Sequence, residues 1–346
     1  MRTKFLTGEK ISFASIFAIL LICSSVKAQM VSYSVVQNDP HDLKKLEVYF
    51  SPFYAEIFSP SITLGYGIGA NYQLNNKIDL MLFFNKPYAV GTDEAYRTNK
   101  VFIPTHNNLE TPMHKTYFLE AGGALELSDN DKQKNVKIVL SSSSSYSRYI
   151  MVPGTVRKIN KLRGGVFNYN SIISTDLLGD DFKLQAKDEK GGTVTFTTYD
   201  LLQPDGSETF PYDGLLDWAV NMNVTSFYAG LSRESITKMI VKPEDYRKNK
   251  SKQFNSNFYA DVMFAPLITM GDIKFHGKTY DVTNGDENSF RKNNFGWRVG
   301  YEFNFLNKVA YGAKMELGVR PGLKSKGFFF NLVYRFPIIR FMEDKG

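Results

Sequence analysis

The chain has 346 residues, with 42 Lys and Arg against 35 Asp and Glu, and is rich in Phe (28) and Tyr (20). Its single cysteine, Cys23, lies near the N-terminus, so the remainder has no disulfide framework, no thiol nucleophile and no thiolate metal site. The basic residues gather only in two modest clusters, 157–163 and 247–252, which read as charged loops; they do not make the concentrated face that a nucleic acid would need.

Arg2, Lys4 and Lys10 precede an apolar run at 11–23, and Val26-Lys-Ala28 is a small-residue cleavage site before Gln29. Residues 1–28 therefore predict a secretory signal peptide, the apolar run being too short to span a bilayer comfortably. Ile22 before Cys23 does not suit lipidation, which resembles a small residue followed by Cys. Cleavage would remove Arg2, Lys4, Lys10, Lys27 and Glu9, lowering the net charge from +7 to +4 and taking the cysteine with it. Residues 29–45 are polar, carry Pro40, and read as a short lead-in.

From residue 46 onward the apolar residues are dispersed as alternations. Residues 46–57 predict a strand, and 61–74 predict another with the cleanest alternation in the chain. There Ile62, Leu64, Tyr66, Ile68, Ala70, Tyr72 and Leu74 share one face, and Ser61, Thr63, Gly65, Gly67, Gly69, Asn71 and Gln73 share the other. Fourteen alternating residues are long for a soluble sandwich strand, typically about five or six residues, and suit a tilted membrane strand of about 9–11 residues with overhang. An Asn75-Asn76 turn leads to a third strand at 77–88.

Residues 89–114 are polar apart from a short strand candidate near 99–105. Alternation resumes at 115–128, where Glu120, Gly122 and Glu126 are expected inside, and residues 129–134 predict a charged turn into 136–150. The serine run 141–145 is expected to stay within that strand on a polar face. Weaker alternation follows at 156–169. Residues 171–216 read as a long loop with a hairpin arm at 193–201. Further strands are expected at 217–229, 235–241, 254–265 and 272–280, with polar loops at 243–253 and 281–294. At the C-terminal end Trp297, Val299, Tyr301, Phe303 and Phe305 oppose Arg298, Gly300, Glu302 and Asn304. Tyr311, Ala313, Met315, Leu317 and Val319 oppose Gly312, Lys314, Glu316, Gly318 and Arg320. In the last run Phe328, Phe330, Leu332, Tyr334 and Phe336 oppose Phe329, Asn331, Val333 and Arg335.

These segments predict an all-β fold: a transmembrane antiparallel up-and-down β-barrel over residues 46–341, with a C-terminal tail at 342–346. The inventory gives thirteen strands, and single-chain bacterial barrels have an even number, so about 14 is expected, with 12 and 16 open. A fourteenth strand near 99–105 would place both termini and the turns at 75–76 and 307–308 on one side, and the loops 171–216, 243–253 and 281–294 on the other.

The ending Gly327-Phe-Phe-Phe-Asn-Leu-Val-Tyr-Arg-Phe336, followed by Phe341, together with the signal peptide and dyad alternation, resembles outer-membrane β-barrel proteins of Gram-negative bacteria, in a Bacteroidota-like style. The resemblance implies outer-membrane localisation, contact with outer-membrane lipid, and a periplasmic lead-in at 29–45. It further implies that the barrel-assembly machinery reads the terminal strand through Phe336 and Phe341. The chain departs from that pattern by continuing past Phe341 with Met-Glu-Asp-Lys-Gly.

Little in the sequence points to catalysis. His41, His106, His114 and His276 form no close pair, Gly65-Tyr-Gly-Ile-Gly69 has no phosphate-binding helix after it, and no cofactor or metal is expected. What remains is a mixed-charge set expected in the lumen: Glu120, Glu126, Asp261, Arg298, Glu302, Lys314, Glu316 and Arg320. Paired, these charges fill the interior; separated by water, they select solutes by charge. The expected function is a non-catalytic outer-membrane barrel, acting as a solute channel or as a membrane-embedded subunit of a larger envelope assembly with protein partners and no nucleic acid. A soluble secreted β-sandwich that binds a ligand or surface glycan, and an outer-membrane hydrolase, are the alternatives.

Overall fold

The structure, a computed structural model, describes residues 31–42, 45–58, 61–75, 77–92, 116–144, 146–174, 183–187, 190–197, 219–270, 273–275, 278–280, 292–306, 310–323 and 327–341. In chain order its strands are β1 (Tyr33–Asn38), β2 (Leu46–Phe58), β3 (Ser61–Asn75), β4 (Ile78–Thr92), β5 (Tyr117–Ser142), β6 (Ser147–Ser174), β7 (Lys183–Lys187), β8 (Thr193–Thr197), β9 (Ala219–Pro243), β10 (Lys250–Met270), β11 (Ile273–Phe275), β12 (Lys278–Tyr280), β13 (Lys292–Asn293), β14 (Phe295–Phe305), β15 (Tyr311–Val319), β16 (Gly322–Leu323) and β17 (Phe328–Phe341). Among the described residues ten of these, β2 to β6, β9, β10, β14, β15 and β17, follow one another as antiparallel neighbours. The last pairs with the first, Leu332 opposite Ala55, and closes the sheet into a barrel.

The alternation is read out as expected, with the apolar set outside. On β3 Leu64, Tyr66 and Ile68 are exposed while Thr63, Gly65, Gly67 and Gly69 face inward. On β17 Phe328, Phe330, Tyr334 and Phe336 are exposed while Phe329, Asn331, Val333 and Arg335 are buried. Glycine on the inner face makes room for large rings: Tyr49 lies over Gly69 and Tyr259 over Gly300, each its cross-strand partner, so a Cβ at either glycine would run into the ring. Aromatic pairs mark two levels of the outer surface. Phe264 meets Phe295 at 5.2 Å between centroids, and Phe305 meets Phe254 at 5.3 Å and Tyr311 at 4.7 Å. Phe295 and Phe305 are ends of one strand, about 34 Å apart along it at ~3.4 Å per residue, or about 26 Å along the axis for a tilt of ~40°.

Among the described residues the barrel sheet has ten strands where the inventory gave thirteen, because two predicted boundaries do not exist and one predicted strand lies outside the sheet. The segments 217–229 and 235–241 are one strand, β9, of 25 residues. The charged residues 129–134 are no turn: β5 runs through them for 26 residues, and the turn comes later, within the serine run, where Ser143 N donates to Tyr146 O at 2.9 Å. Among its described residues the segment 272–280 holds the three-residue strands β11 and β12, paired with each other and outside the barrel sheet. The 99–105 candidate, the signal peptide and the tail 342–346 lie outside the described residues.

The overlong strands build an annex at one end of the barrel. β9 and β10 continue past it to a turn at 244–249, with Val241 opposite Lys250. That turn is therefore at the end carrying the Asn75 turn, where Asn75 Oδ1 accepts from Lys77 N (2.9 Å) and Ile78 N (2.8 Å), and not at the opposite end as expected. The lead-in is itself a strand: β1 takes over as partner of β9 where β6 leaves it, Asn38 pairing with Met239 after Val156 pairs with Thr237. Val136, Ile138, Val152 and Val156 of the β5–β6 hairpin pack on Met239 and Val241 of β9, with Tyr33 of β1 against them. Asn38 Oδ1 accepts from Thr155 N at 2.9 Å, His41 contacts Asp131 at 3.0 Å, and Asp42 pairs with Lys238, which together pin the lead-in.

Since this small core has no share in barrel closure, Ile138→Ala is expected to cost the annex about 2–5 kcal/mol while the barrel persists. Limited proteolysis checks it: cleavage within 129–155 should accelerate in the variant, with the heat-sensitive gel mobility of the barrel retained.

Candidate functional site: a charged network across the lumen

Inward-facing positions on seven strands converge at mid-height. Arg298 on β14 is the centre: its Nε donates to Asp261 Oδ2 of β10 at 2.7 Å, its Nη2 to Glu120 Oε1 of β5 at 2.5 Å, and its Nη1 lies 3.2 Å from Glu316 Oε1 of β15. β5 and β14 are not neighbours in the sheet, so the Glu120 bond crosses the lumen. Lys314 Nζ sits 2.9 Å from Glu316 and 3.6 Å from Glu120 Oε2. Tyr259 Oη donates to Glu316 Oε1 at 2.5 Å, and Asn331 Nδ2 of β17 donates to Glu316 Oε2 at 3.1 Å.

Arg163 of β6 completes the set. Its guanidinium lies 3.8 Å from the Tyr259 ring centroid, and its Nε is 3.5 Å from Asp261 Oδ1. Tyr228 of β9 covers Arg298 at 4.5 Å. Three cations thus meet three carboxylates, all nearly solvent-free: Glu120 is 0% and Arg298 2% exposed. In so dry a site each charge is tolerable only because the others are present.

Two flanking tiers follow the same rule. Arg320 grips Glu56 of β2 through two bonds of 2.8 and 2.5 Å, while Tyr54 donates to the same carboxylate at 2.6 Å. Phe118, Tyr169 and Phe329 surround that guanidinium. On the other side of the centre Arg335 pairs with Glu302 and stacks on Tyr49 at 4.7 Å. Beyond it the lumen opens into a cavity of 620 Å³ at the annex end, with Arg163, Tyr259 and Lys314 at its floor. Lys161 joins Asp79 and Glu234 in its wall, and Arg157 pairs with Asp129 at 2.8 Å and lies 3.5 Å from Glu126.

The eight charged positions expected in the lumen fall into three groups. Glu120, Asp261, Arg298, Lys314 and Glu316 share one network, Arg320 and Glu302 anchor the flanking tiers, and Glu126 belongs to the cavity wall. Their partners Glu56, Arg163 and Tyr259 were not singled out. Cluster 157–163, expected in a loop, is in β6, with Arg157, Lys161 and Arg163 inside. Phe336 and Phe341, the expected assembly signal, are exposed on the outer face of β17. His41 is a surface residue of the lead-in, and the other histidines lie outside the described residues. Chemically, each of these carboxylates is held by a cation, which leaves the set suited to tying strands together and filling space.

Arg298→Ala would leave Glu120, Asp261 and Glu316 facing one another without their shared cation, and a loss of about 3–5 kcal/mol is expected. The midpoint of urea unfolding of the barrel in lipid vesicles measures it. Gly300→Val, which drives a side chain into the Tyr259 ring, should lower the same midpoint without removing any charge.

No protein-family model matches the chain, and no curated protein matches it. Among solved structures, OprB of Pseudomonas putida, determined at high pH, is similar at 7% identity with a TM-score of 0.18, over 80% of this chain; the chain spans 59% of the length of OprB. In vitro folded OmpT, an outer membrane protein of Vibrio cholerae, is similar at 9% identity with a TM-score of 0.16, over 88% of this chain and 99% of that one. Its trimer form gives 9% identity and a TM-score of 0.16, over 86% of this chain and all of that one (100%).

Proposed function

We propose that the chain is a non-catalytic outer-membrane β-barrel that serves as a membrane-embedded subunit of an envelope assembly, with its lumen closed to passive solute flow. Membrane embedding is supported by the inversion of the barrel: Leu, Ile and Phe face outward around it while Glu, Arg and Lys are buried within. Exposed to water, so large an apolar belt would drive association; in hydrocarbon it is at home. The height of about 26 Å between the aromatic levels suits the apolar band of such barrels, near 25 Å. A barrel has no unpaired edge, which is what strand-built spanning requires, and bacterial barrels of this kind reside in the outer membrane.

The observation that carries the closed-lumen reading is the Glu120–Arg298 bond, which bridges the interior where its neighbours are also buried. Such a barrel is better suited to holding something in place than to conducting, and the annex supplies a folded platform at the end where β1 lies and β17 finishes at Phe341. A second reading, a channel gated by the same network, is favoured by the 620 Å³ cavity that leads to it.

Planar bilayers separate the two. The unaltered barrel is expected to insert without discrete conductance steps, and joint replacement of Glu120, Arg298 and Lys314 by Ala is expected to produce them. Steps in the unaltered protein, spontaneous or under voltage, would favour the gated channel. For the assembly role, a pull-down in mild detergent should retain stoichiometric partners, and recovery of the barrel alone would count against it.

A further inference from the structure

Four cations on the outer surface take no part in the lumen or the annex core. They sit on adjacent strands just below the apolar belt. In the rows of paired residues, Leu125, Leu162 and Leu231 lie side by side and face outward; the next outward row holds Ser128, Asn160 and Arg233, the next Asn130, Lys158 and Ser235, and the next Lys132 beside Val156. Lys134 follows one row on, opposite Gly154. Leu162 and Leu231 are 46% and 60% exposed, so the step from apolar belt to cation cluster takes only a few residues along β6 and β9.

Neighbouring acids do not neutralise this cluster. Asp129 turns inward to Arg157, and Asp131 reaches His41 of the lead-in. Among the described residues the side chains of Lys132, Lys134, Lys158 and Arg233 have no hydrogen bond or ion pair. Their mutual repulsion is felt at Lys158, whose ammonium is pushed below the ordinary lysine range, by Lys134 foremost, then by loss of hydration, Arg233 and Lys132. Like charges side by side on a sheet are unfavourable unless something anionic lies against them.

We infer that Lys132, Lys134, Lys158 and Arg233 form a seat for the headgroups of anionic phospholipids, in the leaflet at the annex end of the barrel. The inference rests on the membrane-embedded reading above. Its position is what selects a lipid: Arg233 and Lys158 stand one and two residue rows below Leu162 and Leu231, where a phosphate diester is carried at the edge of the hydrocarbon, and Lys132 and Lys134 follow in the third and fourth rows. Lysine and arginine on a membrane surface each strengthen binding to anionic lipid.

The test uses the full barrel in phosphatidylcholine bilayers containing a trace of spin-labelled phosphatidylglycerol or spin-labelled phosphatidylcholine. Spin-label spectra give the relative association constant of each lipid with the barrel. The expected result is a preference of at least about threefold for phosphatidylglycerol. It should weaken with salt and disappear in Lys132→Gln/Lys134→Gln/Lys158→Gln/Arg233→Gln, but survive in the control Arg247→Gln/Lys248→Gln. If the quadruple variant fails to fold, Lys134→Gln/Arg233→Gln is read instead and should at least halve the preference. Equal association of both lipids, or a preference unchanged in the variants, overturns the headgroup seat while leaving the barrel reading intact. Displacement by inorganic phosphate beyond that by chloride of equal ionic strength would identify a free-anion site and also overturn it. Failure of the protein to enter bilayers at all would overturn both.

Discussion

Arg298 answers three carboxylates at once, and the interior of the barrel is arranged so that it can. A closed sheet with apolar residues outside must fill its inside with the other half of every strand, and here that half is charged. Water could fill such a space, but the central groups are buried, so each carboxylate depends on a specific cation from another strand. Seven of the ten barrel strands among the described residues contribute to one network, which makes register a shared property: shifting any one strand by a residue would turn its inward residues outward into the apolar belt. The aromatic rings extend this constraint. Tyr259 fits only because Gly300 lies beneath it, and it then both stacks on Arg163 and donates to Glu316.

The faces of the strands were legible because alternation has only two phases. β3, β14, β15 and β17 put their charged and small residues inside as their patterns required, which places Arg298, Glu302, Lys314 and Glu316 in the interior. Strand number was not legible, since a charged stretch such as 129–134 has the composition of a turn, and only its pairing with 154–159 shows that it continues the strand. Glu56 was hidden by local geometry. β2 shifts register between Ser51 and Tyr54, which breaks the alternation that would have placed it inside. Arg163 was hidden by company: among other basic residues of 157–163 it resembled a loop, although the same every-second-residue rule applied to β6 would have separated Arg157, Lys161 and Arg163 from Lys158.

The two ends of the barrel are thereby different objects. At one end Glu56 and Arg320 close the interior among Phe118, Tyr169 and Phe329; at the other a polar cavity is roofed by the lead-in and walled by Lys161, Glu234 and Arg157. The annex grows from the second end because β5, β6, β9 and β10 outrun the apolar belt, and once clear of it their outward residues need a core of their own. Val136, Ile138, Val152, Met239 and Val241 supply it. The same outward column on β6 reads Leu162, Asn160, Lys158, Val156: belt, transition, cation, annex core.

The central claim is that side chains seal the lumen between these two ends, and thiol accessibility tests it most directly. With Cys23 absent from the processed chain or replaced, Asn257→Cys places a lone thiol in the cavity wall on the annex side of Arg298. In vesicles where the barrel has one orientation, a small charged thiol reagent added at the annex end is expected to label it rapidly, and the same reagent added at the opposite end is expected to leave it unlabelled. Labelling at equal rates from both ends would mean that the lumen is continuous and would contradict the account.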